Sequence, residues 1–157
     1  MKDSNVRKVE VSVLKTDSKL GLVFGFAIVC KTRNSDGSFD PYYDTGSYDE
    51  NLKEVFSDHI TEQAMLEGVT EFMKSQRVAT EDHERDENDE PVQKGTVVHS
   101  FPLTEDIAAS LGIVTEKTGW LVAMQPTPEV FKRFEDGELR QFSIGGRVCR
   151  QPDKENA

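Results

Sequence analysis

Alternating and continuous apolar stretches in this chain predict a sheet built around one buried strand. Val9, Val11 and Val13 alternate with polar residues, so residues 6–14 are predicted to form a half-buried strand. Residues 20–30 (LGLVFGFAIVC) are nearly all apolar and rich in Val, Ile and Phe, which favours a central strand, and their inner glycines indicate a bulge or bend. Further strands are predicted over residues 77–82, 96–101, 120–124 and 141–148.

Three other segments repeat apolar residues at helical spacing. The longest covers residues 61–74, where Thr61 can cap the first turn and Glu62 suits the positive end of the helix dipole. Two shorter helices are predicted over residues 104–111 and from Pro128 up to Gly137, with Thr104 and Thr127 as caps, Gly112 beyond the end of the first, and Val130, Phe131 and Phe134 facing inward in the second.

The remaining residues lack a clear period. Residues 34–37 (NSDG) predict a turn, and residues 38–59 are interpreted as a long loop with one short element near residues 52–56. The acidic run at residues 81–90 is interpreted as a solvated loop. These elements predict a β-rich α+β domain over residues 1–150, with helices on a mainly antiparallel sheet or barrel, and a frayed tail at residues 151–157.

Composition and charge narrow the classes of partner. The 157 residues carry a net charge of −10 and only 36% hydrophobic residues, so an acidic surface is expected. Nucleic acid and anionic membranes are excluded as main partners, because an acidic surface releases no counterions from them. Basic protein segments fit this charge.

Cysteine content and the N-terminal residues bear on the compartment. Cys30 and Cys149 lie in apolar strand-like runs and are interpreted as reduced, buried thiols. The first residues, MKDSNVRKVEV, lack the apolar core of a signal peptide, and no run reaches membrane-spanning length. The sequence therefore predicts a soluble cytoplasmic protein.

The chemistry of the chain centres on Ser143, which is followed by Ile144, Gly145 and Gly146. A hydroxyl before two glycines has backbone N–H groups beside it and little side-chain bulk to block a substrate. That arrangement suits a nucleophile with an oxyanion site nearby. The structural alternative is a serine that supports a tight strand, which is the more common role of a serine before glycines.

A serine nucleophile needs a base, and the chain offers three histidines. His83 leads because it follows a predicted strand and opens a loop, with Asp82 and Glu84 beside it. His99 is expected on a strand whose alternate side chains share a face, so Val97, His99 and Phe101 are predicted to point one way and Val98 the other. His99 could orient His83, although solvated or structural roles suit each histidine too. His59 is interpreted as an ordinary loop residue.

No cofactor or metal site is predicted. The DENDE run lacks the central glycine and the spaced glutamate of a calcium loop. Cysteines and histidines at zinc spacing and a phosphate-binding loop are also missing from the sequence.

Residues 20–148 resemble the XkdF-like phage serine proteases, which belong with the prohead proteases of tailed phages. The segments that carry the resemblance are FGFAIV, HITEQAM, KGTVVHSFPLTEDIA and, most specifically, TGWLVAMQPTPEVFKRFEDGELRQFSIGGR. The group shares a strand-borne serine in an FS-(I/M)-GG-like motif and an upstream histidine. The resemblance implies that Ser143 is the nucleophile and His83 the general base.

The resemblance also implies a fold and a setting. Prohead proteases resemble the herpesvirus assembly proteases, in which a barrel-like sheet flanked by helices carries Ser and His on neighbouring strands and a second histidine completes the triad. His99 is the candidate by analogy, with Asp82 and Glu84 as rivals, and backbone N–H groups near Gly145 and Gly146, with Arg147, are candidates for the oxyanion site.

Such enzymes work inside the procapsid in the cytoplasm of the bacterial host. They cut scaffolding and capsid proteins, which are the expected partners, and self-association is a further expectation. Fourteen residues follow Ser143, so no self-cleaved tail is expected behind it, and the chain is interpreted as one module of a split system or a trimmed protein. Two alternatives stay open: a non-catalytic phage structural protein that binds capsid or scaffold, and an acidic binding domain of unrelated function.

Overall fold

The computed structural model of the chain describes residues 11–51, 53–75, 78–79, 85–89 and 92–142. Within them nine strands and three helices form a mixed α+β fold. In chain order they are β1 (Val11–Asp17), β2 (Leu22–Arg33), β3 (Phe39–Pro41), β4 (Asp44–Asp49), β5 (Glu54–Asp58), α1 (Glu62–Ser75), β6 (Val78–Ala79), β7 (Gly95–Leu103), α2 (Glu105–Leu111), β8 (Lys117–Pro126), α3 (Pro128–Glu135) and β9 (Gln141–Phe142).

Seven strands form one sheet, in which β6, β7, β8, β2, β1 and β9 follow one another and β3 also pairs with β2. Every strand pairing that the structure describes is antiparallel. The prediction of a mainly antiparallel sheet flanked by helices is therefore confirmed.

The predicted central strand is β2, and it carries two bulges where the sequence predicted a bulge or bend. Phe26 and Ile28 pair with consecutive residues of β8, so Ala27 is an extra residue on β2. Cys30 is extra in the same way, between Val29 and Lys31. The bulges do not fall at the inner glycines, because a glycine in a strand does not by itself require one.

Both faces of the sheet are covered, by different helices. On one face, Val23, Trp120 and Val122 pack with residues of α1 and α3 in the larger core. The other face carries a smaller cluster, in which Phe26, Val29 and Leu103 pack with Ala108 of α2. Alternate residues of a strand point to opposite faces. Because both faces are buried here, β2 and β8 are apolar at nearly every position.

Local signals set the start of α1 and both ends of α2 as predicted. The hydroxyl Oγ1 of Thr104 accepts a hydrogen bond from the Ile107 N–H at 3.1 Å, and Gly112 ends α2 in the left-handed conformation at φ 66°. The Thr61 hydroxyl likewise accepts from Ala64 N–H at 3.1 Å. Thr127 precedes α3 but makes no side-chain capping bond, so its predicted capping role is wrong in that respect.

Two sequence-based expectations need correction. Residues 38–59 are not one long loop: they form β3 and a separate β4–β5 hairpin. The acidic and turn-forming residues of this segment hide the alternation that normally indicates strands. The first strand continues to Asp17, beyond its predicted end at residue 14, and the part of the predicted segment at residues 6–10 lies outside the described residues.

Candidate active site

Most residues of the expected catalytic centre lie outside the described residues. Ser143, Gly145, Gly146 and Arg147 follow residue 142, and Asp82, His83 and Glu84 fall within 80–84. The tail at 151–157 and Cys149 also lie outside them. Of the three proposed catalytic residues, the structure therefore describes only His99, together with the strands that lead to the other two.

The strand that leads to Ser143 is β9. It lies at one end of the strand order β6-β7-β8-β2-β1-β9, which is called the sheet path below. Phe142 pairs with Val11 and Gln141 with Ser12, and the Val13 N–H donates to the Arg140 carbonyl at 2.8 Å. The turn before β9 is fixed by Gly137 at φ 73°, whose carbonyl accepts from Arg140 Nε at 2.8 Å. Ser143 is thus the residue directly after a strand held against β1.

The strand that leads to His83 is β6, at the opposite end of the sheet path. Its Val78 and Ala79 pair with Thr96 and Gly95 of β7. Four strands, β7, β8, β2 and β1, separate β6 from β9. Five strand spacings in a flat sheet amount to about 24 Å. Ser143 and His83 could therefore meet only through curling of the sheet together with the chain beyond each strand.

The sheet does bend near β9. Cα atoms of β9 come within 8 Å of β2, across the intervening β1. Two strand spacings in a flat sheet would be about 9.6 Å. The pairing of β1 with β2 shifts register between Val13 and Lys15, which places a bulge at Leu14. A bulge bends its strand and increases the local twist, so it accounts for this curvature.

His99 lies on β7, and of the two neighbours that the alternation placed on its face, only Phe101 shares it. Val97 pairs with Met124 and His99 with the adjacent Ala123, so Val98 is a bulge. As a result Val97 is buried in the larger core, whereas His99 is exposed and lies on the opposite face of the sheet, as does Phe101. The prediction that Val97 shares a face with His99 is wrong, because the extra residue reverses the alternation.

His99 has no hydrogen-bond partner among the residues that the structure describes. The next residue, Ser100, faces the core side, where its Oγ accepts from the Trp120 Nε1–H at 2.8 Å. Three strands, β8, β2 and β1, lie between the strand of His99 and β9.

His59 contacts two tyrosines at the base of the β4–β5 hairpin. Its Nδ1–H donates to the Tyr42 carbonyl at 3.0 Å, and its ring lies 5.4 Å from that of Tyr43. The ring joins the segment before β4 to the segment after β5, at the base of the hairpin. The side chain is half-buried there and fits the interpretation of an ordinary loop histidine.

A polar cluster that the sequence did not indicate joins α1, α2 and the central strands. The Glu62 carboxylate lies 3.3 Å from Lys31 Nζ and accepts from Thr118 Oγ1 at 3.1 Å and from the Glu105 N–H at 3.1 Å. Lys31 Nζ also donates to Glu105 Oε2 at 2.8 Å. This bond to Glu105, ahead of the contributions of Glu62, raises the pKa of Lys31.

The cluster is structural rather than catalytic in its chemistry. Its residues come from four distant places in the chain, so no local motif could reveal it. Thr118 is completely buried and its hydroxyl is satisfied by Glu62. A lysine paired with two carboxylates stays charged and does not supply a free base.

A shallow open groove of about 900 Å³ lies where β7 begins and β8 ends. Leu20, Gly95, Gln125 and Phe131 are among its lining residues. Gly95 is also the partner of Ala79 in β6, so the groove adjoins the strand that leads to His83. The groove therefore adjoins the strand that leads to one half of the expected catalytic pair.

The described residues contain no group of three or more His, Cys, Asp or Glu side chains arranged to hold a metal ion. Among these residues, no helix combines the length and the apolar character needed to cross a membrane. Comparisons with protein-family models, with curated proteins and with solved structures find no match to this chain.

Proposed function

We propose that this chain is a serine endopeptidase of phage head maturation, with Ser143 as nucleophile and His83 as general base. The observation that carries the proposal is the segment at residues 119–147, whose FSIGG motif begins with the last residue of β9. A serine directly after a strand that is hydrogen-bonded into a sheet has a fixed starting point, which a nucleophile needs.

The proposed reaction is acyl transfer. His83 accepts the proton of the Ser143 hydroxyl as the oxygen attacks the peptide carbonyl, and it returns the proton to the leaving amine when the peptide bond breaks. Water then attacks the acyl ester and restores the serine. Backbone N–H groups near Gly145 and Gly146, with Arg147, are proposed to stabilise the oxyanion. His99, Asp82 and Glu84 are proposed as alternative candidates for the residue that orients His83.

The finer fold that goes with this proposal is that of the herpesvirus assembly proteases. The curvature of the sheet at β1 and the helices on its faces support such an architecture. A barrel brings its first and last strands together, which would carry β6 and β9 toward each other. The partners would be capsid and scaffolding proteins in the procapsid, inside the bacterial cytoplasm.

Co-expression with the neighbouring capsid and scaffolding proteins tests the proposal. We expect specific cleavage by the wild-type chain, seen by intact mass, and its loss in Ser143→Ala and in His83→Ala. Matched controls are Ser110→Ala, which removes an exposed helical hydroxyl, and His59→Gln, which removes a histidine outside the expected site. Both controls should cleave at the wild-type sites. Assembled shells that contain the wild-type chain and remain uncut would overturn the proposal.

A second function is favoured by the order of the strands. Because β6 and β9 lie at opposite ends of the sheet path, an open sheet would keep Ser143 and His83 apart. The chain would then be a non-catalytic phage structural protein that binds capsid or scaffold. In that case Ser143→Ala and the wild type should support shell assembly equally, whereas variants of the binding surface should not.

A further inference from the structure

We draw no further inference here: the strongest candidate, the surface patch of exposed apolar side chains of Leu111, Ile113 and Val114 at and just beyond the end of α2, carries none because nothing in the structure shows what covers it.

Discussion

At the scale of single residues, Cys30 links burial to a measurable pH dependence. Its side chain is completely buried. Burial, followed by the charge of Glu62, raises the pKa of the thiol from 9.0 to about 12. The unfolded chain therefore releases this proton near pH 9, whereas the folded chain keeps it.

We predict that the Cys30 contribution to the free energy of unfolding decreases as the pH rises above about 9, by about 1.4 kcal/mol per pH unit. Urea titrations from about pH 8 to about pH 10 measure this slope. Cys30→Ala should lower the stability at every pH but have a shallower slope, because it lacks the titrating thiol. Equal slopes in both chains would contradict the prediction.

Glu62 makes the second residue-scale prediction. Its carboxylate is an acceptor for the buried Thr118 hydroxyl, the Glu105 N–H and Lys31. Glu62→Gln replaces one acceptor oxygen with a donor, and we expect a loss of about 1–3 kcal/mol in the free energy of unfolding. Chemical denaturation followed by the fluorescence of Trp120 measures it.

Glu105→Gln is the matched control, since it removes a carboxylate from the same lysine at a site where the side chain is 49% exposed. Solvent screens that pair, so we expect a loss below about 1 kcal/mol. If the Glu105 variant lost as much free energy of unfolding as the Glu62 variant, the ion pair, rather than the buried hydrogen bonds, would be what stabilises the cluster.

At this scale the sequence predicted interactions between residues that are close together in the chain. Thr61 and Thr104 cap their helices because a cap depends on residues three positions apart. The face of His99 was mispredicted because a bulge depends on how β7 is matched to β8, which no local period reports. The Glu62 cluster was missed because its residues are likewise brought together only by contacts between distant parts of the chain.

At the scale of elements, the close approach of β2 and β8 depends on Gly119. This glycine has φ 150°, and a Cβ there would overlap the Ile28 carbonyl oxygen. We predict that Gly119→Ala lowers the free energy of unfolding by about 3 kcal/mol or more, because both the backbone and the strand pairing must shift. Thermal denaturation followed by circular dichroism measures the effect.

Gly68 provides the control within α1. A Cβ at Gly68 meets no atom within 4 Å, and the residue is exposed. Gly68→Ala should therefore stabilise the chain by about 0.5–1 kcal/mol through helix propensity. Equal destabilisation by both substitutions would refute the steric explanation.

Elements with strong internal patterns were predicted, and elements defined by their partners were not. β2, β7 and β8 each have enough apolar residues to be recognised. β7 and β8 extend beyond both predicted ends, whereas β2 begins two residues later than predicted and ends three residues later. The β4–β5 hairpin has the sequence DTGSYDENLKEVFSD over residues 44–58, whose acidic and turn-forming residues conceal two strands that pair mainly with each other.

At the scale of the whole molecule, the spacing between β6 and β9 separates the two proposed functions. The protease proposal requires a closed sheet, so we expect spin labels at Val78→Cys and Gln141→Cys to lie within about 15 Å by pulsed electron paramagnetic resonance, against about 24 Å or more for an open sheet. Cys149→Ser prevents labelling there, and Cys30 is buried. The longer distance would favour the structural role.

The candidate site was predicted from sequence only as residue types and roles. Motif spacing can nominate Ser143 and His83, but their separation depends on the order of six strands, which is a property of the whole sheet. The architecture was predictable because apolar periodicity and caps are repeated in many elements. The strand order was not, since it is set by pairings between distant segments.

The pairing of β1 with β9 also has a consequence for the timing of folding. It joins residues 11–12 to residues 141–142, so nearly all the described chain must leave the ribosome before this part of the sheet can form. Synthesis proceeds from the N-terminus, and contacts between distant residues form slowly. Until then the edge of β1 that pairs with β9 has no partner strand. If the chain is the proposed protease, the serine that follows β9 would be positioned late, and newly made chains would be inactive until this pairing forms.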